Sequence, residues 1–351
     1  MAEVASAALM AEVASAAQIT GLAPAPLAVS VGDPAGIGPE IVAAAWAARK
    51  AENLPPFFAI GARRAITAVW DGPIETLGTP SDAAAAFDHA LPLIQVDDPG
   101  EITPGDPNLA GARCALDSLE IAVGLARNGF AGGIVTGPVS KAQLYNIGFN
   151  YPGQTEFVAE RCGIAAAHAV MMLAGPSLRT IPITVHCPIS DVPRLLTTEL
   201  IIAKARIAAR ALARDYGIDR PRLVIAGLNP HAGESGTLGR EDLDIIRPAI
   251  EALLAEDIDV RGPLAADTMF HPAARELYDV ALCMYHDQAL IPLKTLHFDD
   301  GVNVTLGLPI VRTSPDHGTA FGIAGKGIAS PRAMIEAIRM AGQCAARRLA
   351  A

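Results

Sequence analysis

The sequence predicts an α/β fold, because short apolar runs alternate with longer segments of helical periodicity through most of the chain. Several of the apolar runs are uninterrupted, which is typical of parallel strands covered on both faces. Gly129 and Gly217 each follow a helical segment, where glycine favours helix termination. With 351 residues, of which 51% are hydrophobic, the chain is long enough for about two such domains.

The individual elements follow from this alternation, taken in chain order. The predicted strands are Leu27–Val31, Phe57–Ile60, Gly133–Thr136, Ala169–Leu173, Arg179–Val185, Leu223–Gly227 and Val280–Met284. The predicted helices are Glu40–Lys50, Ala115–Asn128, Thr155–Arg161, Thr198–Tyr216, Glu241–Ala255 and Pro331–Leu349. Alternating apolar residues at Val302, Val304 and Leu306 indicate one further strand.

Composition excludes several classes of function. The formal net charge of -10 argues against a broad nucleic-acid-binding surface. No run of apolar residues reaches about 18 residues without a charged residue, a Pro or a Gly, so no transmembrane helix is predicted. The five cysteines are scattered, odd in number and without a CxxC motif, which predicts reduced thiols and a cytoplasmic location.

The first residues contain a near-duplication, MAEVASAAL followed by MAEVASAAQ. The segment is rich in Ala and lacks Lys and Arg, so it fits neither a secretory nor a transit peptide. We therefore expect residues 1–26 to form a disordered leader.

Three histidines share a position at the C-terminal end of a predicted strand. They are His186, His231 and His286. In α/β proteins ligand-binding residues gather at these strand ends, and imidazoles that converge from separate loops suit zinc or a similar divalent ion. Each histidine taken singly is also compatible with a structural role.

Other polar residues are candidates for substrate binding or proton transfer. Lys294, Asn303 and Arg312 lie in a polar stretch that could hold a phosphate or a carboxylate. Asp287 follows a candidate metal ligand, and Asp267 lies in a turn where it could equally form a local Asx-turn. The Gly/Pro-rich turn GDPAGIGPE could hold an anion at a helix start or serve only as a tight turn.

Eight motifs together resemble the 4-hydroxythreonine-4-phosphate dehydrogenase family. In chain order they are GDPAGIGPEI, TGPVSK, GQTEF, NPHAGE, GPLAADT, YHDQ, GVNVTLGLP and RTSPDHGTA. Their order and approximate spacing match the family over nearly all of residues 27–340.

The resemblance implies a two-lobed α/β/α fold similar to isocitrate and isopropylmalate dehydrogenases, with the active site in the interdomain cleft. We expect residues 27–145 and 290–351 to form the first lobe, on the nicotinamide side. Residues 146–289 would form the second lobe, on the metal and dimer side.

The resemblance further implies oxidation of 4-phosphooxy-L-threonine by NAD or NADP, followed by decarboxylation to 3-amino-2-oxopropyl phosphate, a precursor of pyridoxine 5′-phosphate. The enzyme would be a homodimer whose metal site is shared between subunits. His186, His231 and His286 match the metal ligands, and the metal would be zinc, or magnesium, cobalt or manganese.

The family's substrate-binding positions match Thr155, Lys294, Asn303 and Arg312, together with Gln154, where the family usually has His. Gln can donate and accept a hydrogen bond but cannot carry a positive charge, so a phosphate or carboxylate contact there would be weaker. In the implied scheme the metal lowers the pKa of the substrate hydroxyl. The proton acceptor is then one of Asp267, Asp287 and Lys141, which the sequence does not rank.

Three other functions remain open at this point. The nearest is a sister dehydrogenase for another 4-phosphorylated sugar acid, of the threonate or erythronate type, or for a cyclic diol. A metallohydrolase would use the same histidines without a nicotinamide cofactor, although no HExxH motif is present. A catalytically inactive small-molecule-binding protein would bind the ligand without turnover.

Overall fold

The structure is a computed structural model that describes residues 24–350. Residues 1–23, which hold the duplicated segment and most of the predicted leader, lie outside the described residues. Within residues 24–350, no helix combines the length and apolar character needed to cross a membrane. The five cysteines are all free thiols.

Strands and helices alternate through the described chain, as the sequence predicts. The strands are β1 Leu27–Ser30, β2 Phe57–Gly61, β3 Ile74–Thr76, β4 Leu91–Gln95, β5 Ile134–Thr136, β6 Val170–Gly175, β7 Leu178–Pro182, β8 Leu223–Ala226, β9 Val260–Leu264, β10 Val280–Cys283, β11 Val302–Leu306 and β12 Arg312–Pro315. The α-helices are α1 Gly38–Ala47, α2 Arg63–Thr67, α3 Ala83–Ala86, α4 Leu109–Arg127, α5 Lys141–Asn146, α6 Gln154–Arg161, α7 Val192–Leu195, α8 Thr198–Tyr216, α9 Arg247–Ala255, α10 Pro272–Arg275, α11 His286–Leu296 and α12 Arg332–Ala350.

The chain divides into two compact units, and the first is interrupted by the second. Unit 1 contains the described residues up to Gly163 together with Pro309–Leu349, and unit 2 is Ile164–Leu308. The lobe boundaries that the family resemblance implies lie after residues 145 and 289.

Unit 1 is built on a parallel sheet with the strand order β3-β4-β2-β1-β5-β12. The central strands β1 and β2 are buried along their whole length. This burial on both faces explains why their sequences, LAVS and FFAIG, are apolar without alternation. The prediction of parallel strands covered by helices is therefore confirmed in this unit.

The GDPAGIGPE segment is a tight turn between β1 and α1. Three of its backbone N–H groups already donate to backbone carbonyls of the same chain: Asp33 to Pro138 O, Gly36 to Asp33 O and Ile37 to Thr319 O. Gly32 has a φ of +83°, and a Cβ at this position would lie 2.3 Å from Pro138 O, so only glycine fits. Of the two interpretations of the motif, the structure supports the tight turn.

Unit 2 is built on a mixed sheet with the strand order β11-β6-β7-β10-β8-β9. β6 pairs antiparallel with β11 and β7, whereas β7, β10, β8 and β9 run parallel. A buried apolar cluster that includes Leu173, Val224 and Tyr278 joins this sheet to α11 through Ala289 and Leu293. The N-terminus of α11 is thereby held against the sheet.

Helix boundaries agree best with prediction where capping residues are strong. Helix α8 has the predicted bounds, because Thr197 Oγ1 accepts a hydrogen bond from Leu200 N–H and Gly217 adopts the left-handed conformation at the other end. Helix α4 begins earlier than predicted, after Asn108, whose side chain accepts from Gly111 N–H. Strands β4 and β9 were missed because Pro92 and Pro263 argue against a strand.

One lysine lies inside unit 2. Lys204, in the middle of α8, is 8% exposed, and its Nζ donates to Pro182 O at 3.2 Å and Ile183 O at 2.8 Å. Burial lowers the pKa of Lys204 from its ordinary value of 10.5 to about 8. The ammonium group therefore holds the chain just past the end of β7, at an electrostatic cost while it is charged.

Replacement of Phe57 by Ala should destabilise unit 1 by about 3–5 kcal/mol, because it leaves a cavity in the core. Phe57 is fully buried and packs edge-on against Phe87 with ring centroids 5.1 Å apart. The free energy of unfolding in urea measures the effect. Leu349→Ala, at a side chain that is 59% exposed, is the control and should cost less than about 1 kcal/mol. Equal losses for the two variants would contradict this account of the core.

The stability of the protein should depend on pH through Lys204. Because its folded pKa is about 8 and its unfolded value 10.5, the folded state binds fewer protons between these pH values. The unfolding free energy of the wild type should therefore rise relative to that of Lys204→Met as pH increases through this window. Urea titrations of both proteins across the window give the difference, in which other titrating groups largely cancel. A difference that does not vary with pH would show that the lysine is not buried as described.

Candidate functional site

Two of the predicted metal ligands lie side by side in unit 2. His186 follows β7 in a left-handed backbone conformation with a φ of 52°, and His286 is the first residue of α11, after β10. Their ring centroids are 5.9 Å apart, with an angle of 42° between the ring planes. Since β7 and β10 are parallel neighbours, their carboxyl ends deliver both imidazoles to the same edge of the sheet.

Asp287 fixes the orientation of one of these rings. Its Oδ1 lies 2.7 Å from His286 Nδ1. A carboxylate can only accept a hydrogen bond, so Nδ1 carries a proton, and in the neutral imidazole the lone pair is then on Nε2. This is the usual arrangement of a metal-binding histidine, whose second nitrogen donates to a carboxylate or carbonyl.

A pocket of about 200 Å³ surrounds the pair. Its walls include Thr184, Cys187, Ile189 and Tyr285 besides the two histidines. The pocket mixes polar and apolar side chains around two imidazole rings, a lining that suits a small polar ligand or a cation.

The third predicted ligand, His231, lies on a different turn. It belongs to the segment Pro230–Gly236 after β8, in which five successive residues from His231 to Ser235 have positive φ. This turn contacts the turn Ala266–Thr268, which carries Asp267. Both His231 and Asp267 are exposed.

Across residues 24–350, no group of three or more His, Cys, Asp or Glu side chains is close enough to hold a metal ion. Within one chain the structure pairs His186 with His286 and places Asp287 against the far side of His286. It does not bring His231 to this pair as a third ligand.

In unit 1 the predicted substrate ligands gather around a buried arginine. Arg312, on β12, is 4% exposed; its Nη2 donates to Thr136 Oγ1 at 2.8 Å and its Nη1 to Thr155 Oγ1 at 3.4 Å. Burial lowers the pKa of Arg312 to about 10, partly opposed by the charge of Glu156, so the guanidinium remains cationic at neutral pH. A buried cation bordered by hydroxyl groups is suited to binding an anion.

Gln154 and Thr155 occupy the first turn of α6, whose N-cap, Gly153, provides no side-chain cap. Gln154 Nε2 donates to Gly137 O at 3.2 Å, which orients the amide, and the buried Gln154 Oε1 has no hydrogen-bond partner within the described chain. Lys141 Nζ lies 3.7 Å from the position that a Cβ of Gly153 would take. The start of α6 therefore collects a cation, the carboxylate of Glu156, a hydroxyl and an amide oxygen that lacks a donor.

The two other predicted substrate ligands are in unit 2. Asn303 lies on β11, and its Oδ1 is buried without a hydrogen-bond partner in residues 24–350. Lys294 lies near the C-terminal end of α11, with its Nζ 5.5 Å from the ring centroid of Phe298.

Sequence reasoning missed several polar residues that support these groups. Thr136 was noted only as part of a motif, although its hydroxyl accepts from Arg312. Gln288 and Asp242 are buried polar residues that bind the backbone at the ends of β10 and β8. Gln288 could have been identified from the sequence only by its position in the YHDQ motif. The local sequence around Asp242 gives no sign of its role.

Comparison with known proteins agrees with the motifs. Residues 56–341 match the family model described as pyridoxal phosphate biosynthetic protein PdxA. A protein named 4-hydroxythreonine-4-phosphate dehydrogenase from Zymomonas mobilis subsp. mobilis is 58% identical over 325 residues, which cover 93% of this chain and 97% of that protein.

Solved structures give the same result. The crystal structure of 4-hydroxythreonine-4-phosphate dehydrogenase from Klebsiella pneumoniae has a TM-score of 0.83 and 35% identity, covering 92% of this chain and 98% of that one. A terephthalate 1,2-cis-dihydrodiol dehydrogenase from Burkholderia xenovorans is more distant, with a TM-score of 0.64 and 29% identity, covering 91% of this chain and 98% of that one.

The motif resemblance, the α/β fold and the extent of these matches agree with one another, which confirms the predicted family. The chain belongs to the PdxA family of oxidoreductases, whose curated relatives are named 4-hydroxythreonine-4-phosphate dehydrogenase.

Proposed function

We propose that this protein oxidises 4-phosphooxy-L-threonine with NAD or NADP, and that the product loses carbon dioxide to give 3-amino-2-oxopropyl phosphate. Membership of the PdxA family supports the reaction class. The observation that carries the proposal is the pair of imidazoles of His186 and His286, with Asp287 behind the second. A nicotinamide cofactor would accept the hydride.

A divalent metal fits this donor set. His186 and His286 would hold it, with His231 as the further ligand, and imidazole nitrogens suit zinc better than magnesium or manganese. A cation bound there supplies Lewis acidity, which lowers the pKa of a substrate hydroxyl. Asp287 favours the required tautomer of His286 by accepting a hydrogen bond from Nδ1–H.

Association of two subunits would complete the ligand set. Ile189, which lines the same pocket as both histidines, is 66% exposed, and two large apolar side chains further along the chain from His286 are also exposed, Ile291 at 64% and Phe298 at 74%. Ile291 lies on α11, the helix that begins at His286, and Phe298 follows this helix, so the segment after His286 presents apolar surface that a second copy could cover. We therefore propose a homodimer with metal ligands from both subunits.

The buried Arg312 would bind an anionic group of the substrate. A phosphate offers oxygen acceptors to its guanidinium and to the Thr155 hydroxyl, and the uncapped start of α6 favours negative charge. Binding of the non-reacting phosphate then contributes to positioning of the reacting carbon. Lys294 and Asn303 remain proposed substrate ligands.

Gln154 favours a substrate that also carries a hydrogen-bond donor. Since Gln154 Nε2 is used by Gly137 O, the buried Oε1 can only accept. A phosphate has no donor at neutral pH, whereas 4-phosphooxy-L-threonine has an ammonium group and a hydroxyl group. Gln154 is thereby compatible with this substrate despite the departure from the usual His.

The three candidate proton acceptors, Asp267, Asp287 and Lys141, have different surroundings in the structure. The carboxylate of Asp287 is hydrogen-bonded to His286 Nδ1, which favours a role for Asp287 in orienting that ring. Asp267 lies exposed on the turn that contacts the His231 turn, and Lys141 lies at the start of α5 in unit 1. We propose Asp267 and Lys141 as the two residues to test for proton transfer.

Turnover assays of the full chain test the proposal. The assay contains 4-phosphooxy-L-threonine, NAD or NADP, and one of Zn²⁺, Mg²⁺, Co²⁺ or Mn²⁺, and it follows cofactor reduction and release of carbon dioxide. Phosphorylated threonate, phosphorylated erythronate and a cyclic diol are tested in parallel, because the dihydrodiol dehydrogenase is also similar in structure. Hydrolysis of a substrate without cofactor reduction would contradict the proposal and favour a metallohydrolase. Binding without any turnover would favour an inactive binding protein.

His231→Ala should abolish metal-dependent turnover and lower the amount of bound metal per subunit, because it removes a proposed ligand. Metal content after dialysis and the rate of cofactor reduction are the two measurements. His89→Ala is the control, since His89 is exposed and pairs only with Glu75 within the described residues. Full turnover with full metal occupancy in His231→Ala would exclude the proposed ligand set.

Arg312→Met should reduce kcat/KM for the phosphorylated substrate by roughly 10–100-fold, the value of charge-assisted hydrogen bonds lost to a phosphate. Arg312→Lys should recover part of this loss, since it keeps the charge but not the planar donor pair. Arg347→Met makes the same change at an exposed position of α12 and should leave kcat/KM unaltered. A wild-type kcat/KM in Arg312→Met would rule out an anion-binding role.

A further inference from the structure

The three histidines follow three adjacent parallel strands. Strand β10 lies between β7 and β8 in the sheet, and the segments that follow these strands carry His286, His186 and His231 respectively. The distances between the histidines therefore depend on how the three strand ends are tied together.

Gln288 ties two of these ends. It lies in the first turn of α11 and is 9% exposed. Its Oε1 accepts a hydrogen bond from Met284 N–H at 2.6 Å, and its Nε2 donates to Gly227 O at 2.8 Å. Met284 precedes His286 just after β10, and Gly227 precedes His231 just after β8. One buried amide thus bridges the two segments.

The segment that carries His186 is joined to the other two at the same residue, Met284. Thr184, between β7 and His186, donates from its hydroxyl to Met284 O at 2.8 Å, and its N–H lies 3.2 Å from the same oxygen. Met284 therefore binds Gln288 through its N–H and Thr184 through its carbonyl. The segments of all three histidines meet at Met284 and Gln288.

We propose that Gln288 is a positioning residue that fixes the His231 segment relative to the segments of His186 and His286 within each subunit, and so sets the affinity of the sites shared between subunits for the divalent cation. This inference rests on the proposed metal-dependent function. The amide is required because one rigid group must accept on one side and donate on the other. A glutamate would present an acceptor to Gly227 O, and a methionine would satisfy neither backbone group.

Zinc binding by the full chain tests the proposal. Purified wild type, Gln288→Met and Gln288→Glu are titrated with Zn²⁺ against a chromogenic chelator, and the thermal unfolding of each metal-free protein is recorded. Both variants should bind Zn²⁺ about 10–100-fold more weakly than the wild type, as when the outer support of a metal site is removed. Thr184→Val, which removes the hydroxyl bound to Met284 O, provides a second route to the same loss should a Gln288 variant not fold.

Thr180→Val is the matched control. Thr180 is fully buried on β7 and donates to Ala289 O on α11 at 3.1 Å, so its replacement also removes a buried hydrogen bond between the sheet and α11. It leaves Met284 and Gly227 untouched, and we expect thermal destabilisation with wild-type Zn²⁺ affinity. Equal weakening of Zn²⁺ binding in Thr180→Val and Gln288→Met would overturn the positioning role, because general destabilisation would explain both.

The two proposals fail in different ways. Tight Zn²⁺ binding by the wild type and equally tight binding by folded Gln288 and Thr184 variants overturns the role of Gln288 and leaves the proposed function in place. Absence of binding by the wild type to Zn²⁺, Mg²⁺, Co²⁺ and Mn²⁺ overturns the metal-dependent function, and the inference about Gln288 with it.

Discussion

The parallel alignment of β7, β10 and β8 is the constraint on which the candidate metal site depends. Ile181, Leu282 and Ile225 lie side by side in the register of these strands, so the chain leaves all three at about the same level of the sheet. Parallel strands place their carboxyl ends, and the residues that follow them, at one edge. The histidines are far apart in sequence but share this edge for that reason.

Strand ends also leave backbone groups that need partners once they are buried. In unit 2 these partners are side chains. Gln288 accepts a hydrogen bond from Met284 N–H, and Thr184 donates one to Met284 O. Asp242 accepts from the N–H groups of Leu228 and Asn229. Unsatisfied buried polar groups are costly, so each of these contacts both stabilises the fold and limits the movement of a histidine-bearing segment. Stability and the geometry of the site therefore arise from the same hydrogen bonds.

The two buried cations show two uses of burial. Lys204 donates to backbone carbonyls just past β7, so its ammonium group serves the structure of the strand end. Arg312 donates to the hydroxyls of Thr136 and Thr155 beside the start of α6, and this polar setting is suited to an incoming anion. Burial lowers the pKa of both side chains, but only the lysine pKa comes near the physiological range.

The α/β alternation, the bounds of α8 and the family could all be predicted from the sequence, because capping residues, apolar runs and ordered motifs are local signals. It did not predict α11, since Pro292 interrupts the helical pattern, nor that His186 and His286 pair while His231 lies on another turn. These features depend on contacts that form only in the folded protein. Contacts such as that of Gln288 with Gly227 join distant parts of the chain, and burial and strand order, which create them, are properties of the folded sheet.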